Sequence, residues 1–254
     1  SKNNLHPSSE TSFHALINRK YVLHVHSTAT IANAISQSSG FDLRKYLDED
    51  FIFVPYCRPG FTLTMEIKKL ILPSTNILVL ENHGLIVAGD DIEDTYKLLL
   101  KIHEKLDLIR NEKLGLDFLE KITNIGGYIH KNTDKYKLFS TQNEKLFSLF
   151  SKSFYPDHVI FLGPGIPTFS EEKEANEFIQ NLKRKNINLP PYLILKNKGL
   201  FENTLAIPAA KEMIDCFLEV LLRIDLSKSF KFLSSHQESE LLNWDIEIYR
   251  QSIN

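Results

Sequence analysis

The run from Asn76 to Gly89, NILVLENHGLIVAG, constrains the fold more than any other stretch. Two apolar segments flank Asn82-His83-Gly84. This pattern predicts two strands joined by a tight turn, with Gly84 free to take positive φ. A related run, Tyr192 to Leu200 (YLILKNKGL), comes later in the chain. Each is followed by a long amphipathic helix, predicted over 92–110 and 206–224. An earlier pair reads the same way: Phe51 to Gly60, which opens with a strand, is echoed by His158 to Gly165, with a strand over 158–162. The fold class is therefore α/β with a partial internal duplication. A first domain is expected over 1–124 and a smaller related α/β lobe over 125–254. The boundary is placed in 111–141, which holds Gly115, Gly126-Gly127 and a polar stretch.

Within the first domain, Tyr21 to Ser27 (YVLHVHS) reads as a strand. Side chains on a strand alternate faces, so His24 and His26 share a face about 7 Å apart at the backbone, while Leu23 and Val25 point into a core. Two imidazoles on one face of a rigid strand make half of a metal site. Upstream, Ser8 or Ser9 is positioned to cap a helix whose first turn holds Glu10, with His14 four residues on and on the same face. His83, at the tip of the predicted hairpin, is placed to act as a third ligand. Three His with one open position is the arrangement of a catalytic zinc, and a neighbouring carboxylate can move protons. Each stretch also has a plain reading: a core pair, a capped surface helix, a hairpin with an exposed His. His103, on the 92–110 helix, reads as structural.

PSSETxxH, then HVHS, then PYxxPG over 55–60, then ENHGLIVxG, in that order, resembles the class II aldolase/adducin family. The likeness runs from about Pro7 to about Arg110. It implies a layered sheet with helices on both faces, His24, His26 and His83 as zinc ligands, and Glu10 as the catalytic acid/base. Another divalent transition metal would suit the same ligands. The implied activity is that of an aldehyde-lyase that cleaves a sugar or sugar phosphate through a metal-stabilised enediolate. Epimerisation, dehydration or decarboxylation could use the same apparatus. Adducin-like scaffolds generally lack the ligand set, and all three histidines stand here. A structural zinc site with Glu10 as fourth ligand is a further alternative. The resemblance also implies a homotetramer, and a C-terminal Tyr, here Tyr249, is a candidate to reach a neighbour's site. In the family, roughly the first third of the domain precedes the Glu and holds the substrate phosphate. Only nine residues precede Glu10 here, so the expectation is a domain lacking that part, and no phosphate-binding residue is assigned.

The rest of the chain excludes other classes. A net charge of -2, with Lys and Glu spread along the chain, gives no electrostatic case for nucleic acid. No apolar run approaches 18 residues, which argues against a membrane partner, and a cytoplasmic location is expected. Cys57 and Cys216 lie far apart in no metal or redox pattern, and read as free buried thiols. In the second lobe Lys198 stands where the first has His83. An ammonium cannot ligate zinc, so that lobe is expected to be a metal-free companion. Gly163-Pro-Gly165 reads as a plain turn, His158 as a weak candidate for substrate contact, and 234–254 as a docking helix.

Overall fold

Two sheets, each built on one of the two hairpins, organise the chain. The computed structural model describes residues 8–36, 42–108, 111, 114–115 and 124–244. These form two units, Ser1–Leu108 and Ile109–Asn254.

In the first unit the strands are β1 (Tyr21–Val25), β2 (Ile52–Val54), β3 (Ile77–Leu80) and β4 (Gly84–Gly89), in the order β1-β4-β3-β2. β3 and β4 form the predicted antiparallel hairpin, β2 runs parallel to β3, and β1 pairs antiparallel with β4. Strand alternation gives the sheet two apolar faces. Leu85 and Val87 of β4 join Ile77, Val79 and residues of α2 (Thr28–Ala34) and α4 (Ile92–Leu106). Ile86 and Ala88 join Leu78, Leu80 and residues of α1 (Thr11–Leu16) and α3 (Phe61–Leu70). Helices therefore cover both faces, as expected. Leu99, Ile102 and Leu106 bury one stripe of α4, and Asp91 caps that helix by accepting from the Asp94 N–H at 3.0 Å.

The second unit repeats the plan. Its sheet has the order β5-β6-β9-β8-β7, from β5 (Asn124–Ile125), β6 (Tyr128–His130), β7 (Thr168–Phe169), β8 (Tyr192–Leu195) and β9 (Gly199–Asn203). Again the hairpin β8–β9 has a parallel neighbour, β7, on one side and an antiparallel one, β6, on the other. α7 (Glu172–Arg184) packs Ala175 and Ile179 on one face of this sheet, and α8 (Pro208–Arg223) follows the hairpin. Among the described residues its further α-helices are α5 (Glu144–Leu149), α6 (Pro156–Leu162) and α9 (Ser235–Leu242).

One predicted strand is a helix. Residues 158–162 lie in α6, whose first position is Pro156, where a missing N–H costs nothing and the fixed φ suits a helix. The counterpart of β2 in the second unit is therefore β7, further along the chain. The thiols also differ from expectation: both cysteines are free, but Cys57 is half-buried and Cys216 exposed. Within 234–254 the helix spans Ser235–Leu242, and Tyr249 lies outside the described residues. No helix among the described residues is long and apolar enough to cross a membrane.

Candidate metal centre

Three neighbouring pieces of one sheet carry the imidazoles. β1 presents His24, and His26 follows just beyond its end. His83 sits in the turn between β3 and β4, and β4 is the strand that pairs with β1. The turn is shaped differently from the expectation. Asn82, not Gly84, takes the left-handed conformation, with φ 53°. Asn tolerates this region better than other side chains do. Gly84 is required for another reason: a Cβ there would stand 2.4 Å from the Val25 carbonyl oxygen, so β1 could not approach the turn. That close approach brings His24, His26 and His83 together, with ring centroids 4.9–5.1 Å apart.

Glu10 comes from the other side. It is the N-cap residue of α1 rather than a member of its first turn, and its side chain makes no capping bond. The carboxylate turns instead to the imidazoles. Its Oε1 lies 3.2 Å from His24 Nε2, 3.2 Å from His83 Nε2 and 3.9 Å from His26 Nε2. Among the described residues these four form the one cluster of potential metal ligands, with ligand atoms all within 4.8 Å of one another. His14 shares α1 but is not in the cluster.

The local electrostatics suit a cation. His24 Nδ1 is 3.0 Å from the Leu85 carbonyl, which can only accept, so Nδ1 carries the proton. Nε2 then presents a lone pair. It is buried and has no hydrogen-bond partner, although a carboxylate oxygen is 3.2 Å away. A lone pair facing an anion at that distance is unfavourable unless positive charge lies between them. Burial pushes the His83 imidazole down to about 4, with Glu10 opposing and the other two imidazoles assisting, so it is neutral at pH 7. Burial works against ionisation of Glu10, but the three facing imidazoles outweigh it and hold the carboxyl well below its usual range. Neutral imidazoles and an ionised carboxylate are the states that bind divalent metals. Tetrahedral zinc with bonds of about 2.0–2.1 Å sets ligand atoms about 3.3 Å apart. Two of the three carboxylate–imidazole distances match, and the third, to His26, is longer.

Sequence reasoning did not identify the groups behind this cluster. The Leu85 carbonyl orients His24. Glu81, buried beside His83, accepts from the Tyr56 N–H at 3.0 Å and ties the 55–60 segment to the hairpin. Ser27 bonds His103. Backbone groups carry no residue-type signal, and Ser27–His103 spans a separation that periodicity cannot bridge. His158, the weak candidate for substrate contact, is fully buried in the second unit and can touch no substrate as it stands.

Comparison with known proteins bears on the first unit. Residues 1–108 match the family model described as Class II Aldolase and Adducin N-terminal domain. "Uncharacterized oxidoreductase YuxG" of Bacillus subtilis (strain 168) is 30% identical over 111 residues, which are 43% of this chain and 16% of that protein. A solved N-terminal class II aldolase domain of a conserved protein from Thermoplasma acidophilum shares 30% identity, with a TM-score of 0.37, over 39% of this chain and 46% of its own. The chain thus spans under a fifth of that curated relative and under half of that solved domain. The resemblance to the class II aldolase and adducin N-terminal domain is thus borne out over residues 1–108.

Proposed function

We propose that the first unit is a metal-dependent lyase that cleaves a sugar or sugar phosphate in a reversible retro-aldol reaction. The observation that carries this reading is the lone pair of His24 Nε2, buried and unpartnered, aimed at a site it shares with two more imidazoles and a carboxylate. His24, His26 and His83 would hold the ion, with zinc favoured by the nitrogen-rich set. When bound, such an ion supplies Lewis-acid stabilisation of negative charge on substrate oxygens.

The protein's own contribution is proton transfer and placement. Ionised Glu10 acts as the base in the condensation direction, taking the proton from the carbon beside the carbonyl. In cleavage the hydroxyl gives up its proton as its carbon becomes the aldehyde, the C–C bond electrons remain on the carbon beside the carbonyl, and Glu10 relays the proton from the one to the other. The Leu85 carbonyl keeps His24 in one tautomer throughout, and Glu81 holds the 55–60 segment beside the site. The second unit takes no part in metal binding: it is proposed as a metal-free, degenerate repeat, because Lys198 replaces the turn His. By family likeness the active form is a homo-oligomer.

Metal analysis of the purified protein, followed by a cleavage assay over a panel of sugars and sugar phosphates, tests the reading. Glu10→Gln should keep the fold and lower kcat by about 10²–10⁴. Wild type and Glu10→Gln equally inert across the panel would overturn the lyase assignment. Glu10→Gln fully active would remove Glu10 from the chemistry.

A further inference from the structure

We infer that His103 is a positioning residue for the candidate metal centre: it fixes the Ser27 hydroxyl and through it the backbone that carries His26. The inference rests on reading the cluster as a metal centre, but its first test does not need the metal.

Ser27 directly follows His26 and is the N-cap of α2. Its Oγ accepts from the Thr30 N–H at 3.2 Å and from the Thr30 hydroxyl at 3.0 Å. A hydroxyl has two acceptor sites and one proton. Both acceptor sites are taken, so the proton must go to the third neighbour, His103 Nδ1, 2.9 Å away. His103 is thereby assigned as a neutral imidazole with its own proton on Nε2, because only an unprotonated Nδ1 can accept. Ser27 is almost fully buried, so no water can readily replace this acceptor.

The mechanical consequence follows from the chain path. His24 lies within the β1–β4 ladder and is further held by the Leu85 carbonyl. His83 is held by a turn bonded from its own N–H to the Leu80 carbonyl at 3.2 Å. His26 lies one residue past the end of β1, and its side chain is the most exposed of the three, at 31%. The residue that follows it, Ser27, is tied to α4 through His103. Asn33 adds a second tie between the same two helices, donating to the Ala29 and Leu106 carbonyls at 2.9 Å each. α4 therefore serves as a rigid post against which the start of α2, and with it His26, is set. His103 touches no ligand of the cluster and acts through Ser27.

The test starts on the metal-free protein. Long-range proton–nitrogen NMR at neutral pH should show His103 protonated at Nε2 only. A proton on Nδ1 would overturn the inference. His103→Leu keeps the bulk and removes the acceptor, while His103→Asn puts a carbonyl oxygen where Nδ1 stood. The Leu variant should shift the backbone amides of His26 and Ser27, and the Asn variant should leave them near wild type. With Zn²⁺, His103→Leu should bind about 10–100-fold more weakly, the range typical for partners behind the ligands. His103→Asn should recover most of that loss, and Co²⁺ spectra should show the same ranking. Leu and Asn variants that behave alike would reduce His103 to packing and sink the inference. Wild type that binds no Zn²⁺ would overturn the metal reading instead, and the tautomer and amide shifts would still decide on His103.

Discussion

The two units share a plan and differ at one end of it. A constant spacing of 115 residues relates them over the second half of each sheet. Val54 bonds the N–H of Glu81 as Phe169 bonds that of Lys196, and Asn76 bonds that of Ala88 as Pro191 bonds that of Asn203. Asn82 and Asn197 both turn left-handed, at φ 53° and 61°. The antiparallel neighbour of each hairpin repeats too. His24 pairs with Ile86, and His130 pairs with Phe201, the residue 115 positions beyond Ile86. The second unit thus keeps one His of the H-x-H pair, and Asn132 takes the place of the other. At the turn, Lys198 replaces His83. In the first unit a carboxylate faces three imidazoles. In the second, Lys198 Nζ lies 3.5 Å from Glu172, and His130 Nε2 bonds the Lys198 carbonyl at 2.7 Å. The backbone plan that gathers the imidazoles in the first unit persists in the second, where those side chains do not. The proposed chemistry therefore depends on a few side chains rather than on the sheet.

The largest expected effect breaks the comparison at its centre. His83→Ala should abolish stoichiometric binding of a divalent ion, read by elemental analysis after dialysis, whereas Lys198→Ala should leave it intact. Lys198→His should still give the second unit no ion, because Asn132 cannot replace an imidazole there.

Acid response is next. His83 and His158 are both buried, and burial pushes them down to about 4 and about 3 from 6.5. The unfolded chain therefore takes up protons before the folded one as pH falls. The stability these groups allow is present above about pH 6.5 and is lost on descent through that window, on the order of a few kcal/mol each at its foot. Glu10 adds loss of the same sign below its ordinary range. Urea midpoints of metal-free protein between pH 7 and 4 should fall steadily, and a rise would contradict the assignment. His158→Phe should remove the second unit's share. It should also stabilise the protein at pH 7 by about 1–3 kcal/mol, since both ring nitrogens are buried without partners beside Phe217, Phe154 and Tyr155.

The glycines separate the units by mechanism. Gly84→Ala drives a Cβ into the Val25 carbonyl and should cost roughly 1–3 kcal/mol together with metal affinity. Gly199 stands at φ 98°, so Gly199→Ala should cost a similar roughly 1–3 kcal/mol through backbone strain alone, with metal binding unchanged. The smallest effect tests the likeness itself. Asn82→Ala and Asn197→Ala should each lose about 1–2 kcal/mol, and unequal losses would show that the two turns are not energetically equivalent.

Much of this was legible in the residues. Both hairpins and the long amphipathic helices declared themselves through periods of 2 and 3.6, because burial on known faces imposes those periods. The cluster of Glu10, His24, His26 and His83 was legible through motif order. Residues 158–162 were not, since a short apolar run fits a strand or a buried helix turn equally well, and Pro156 just ahead was the signal that decided it. Gly84 was assigned the wrong duty because a close backbone approach from a distant strand leaves no local trace. His130 was overlooked as the counterpart of His24 because the equivalence lies in strand register, which only pairing reveals.

The uncapped start of α1 has one more consequence. Moving His24 or His83 means prising apart a hydrogen-bonded ladder or its turn, and moving His26 means disturbing the Ser27 cap that follows it. Swinging Glu10 aside means rotating one side chain at the tip of a six-residue helix that asks nothing of it. The cluster thus has a fixed jaw and a hinged one.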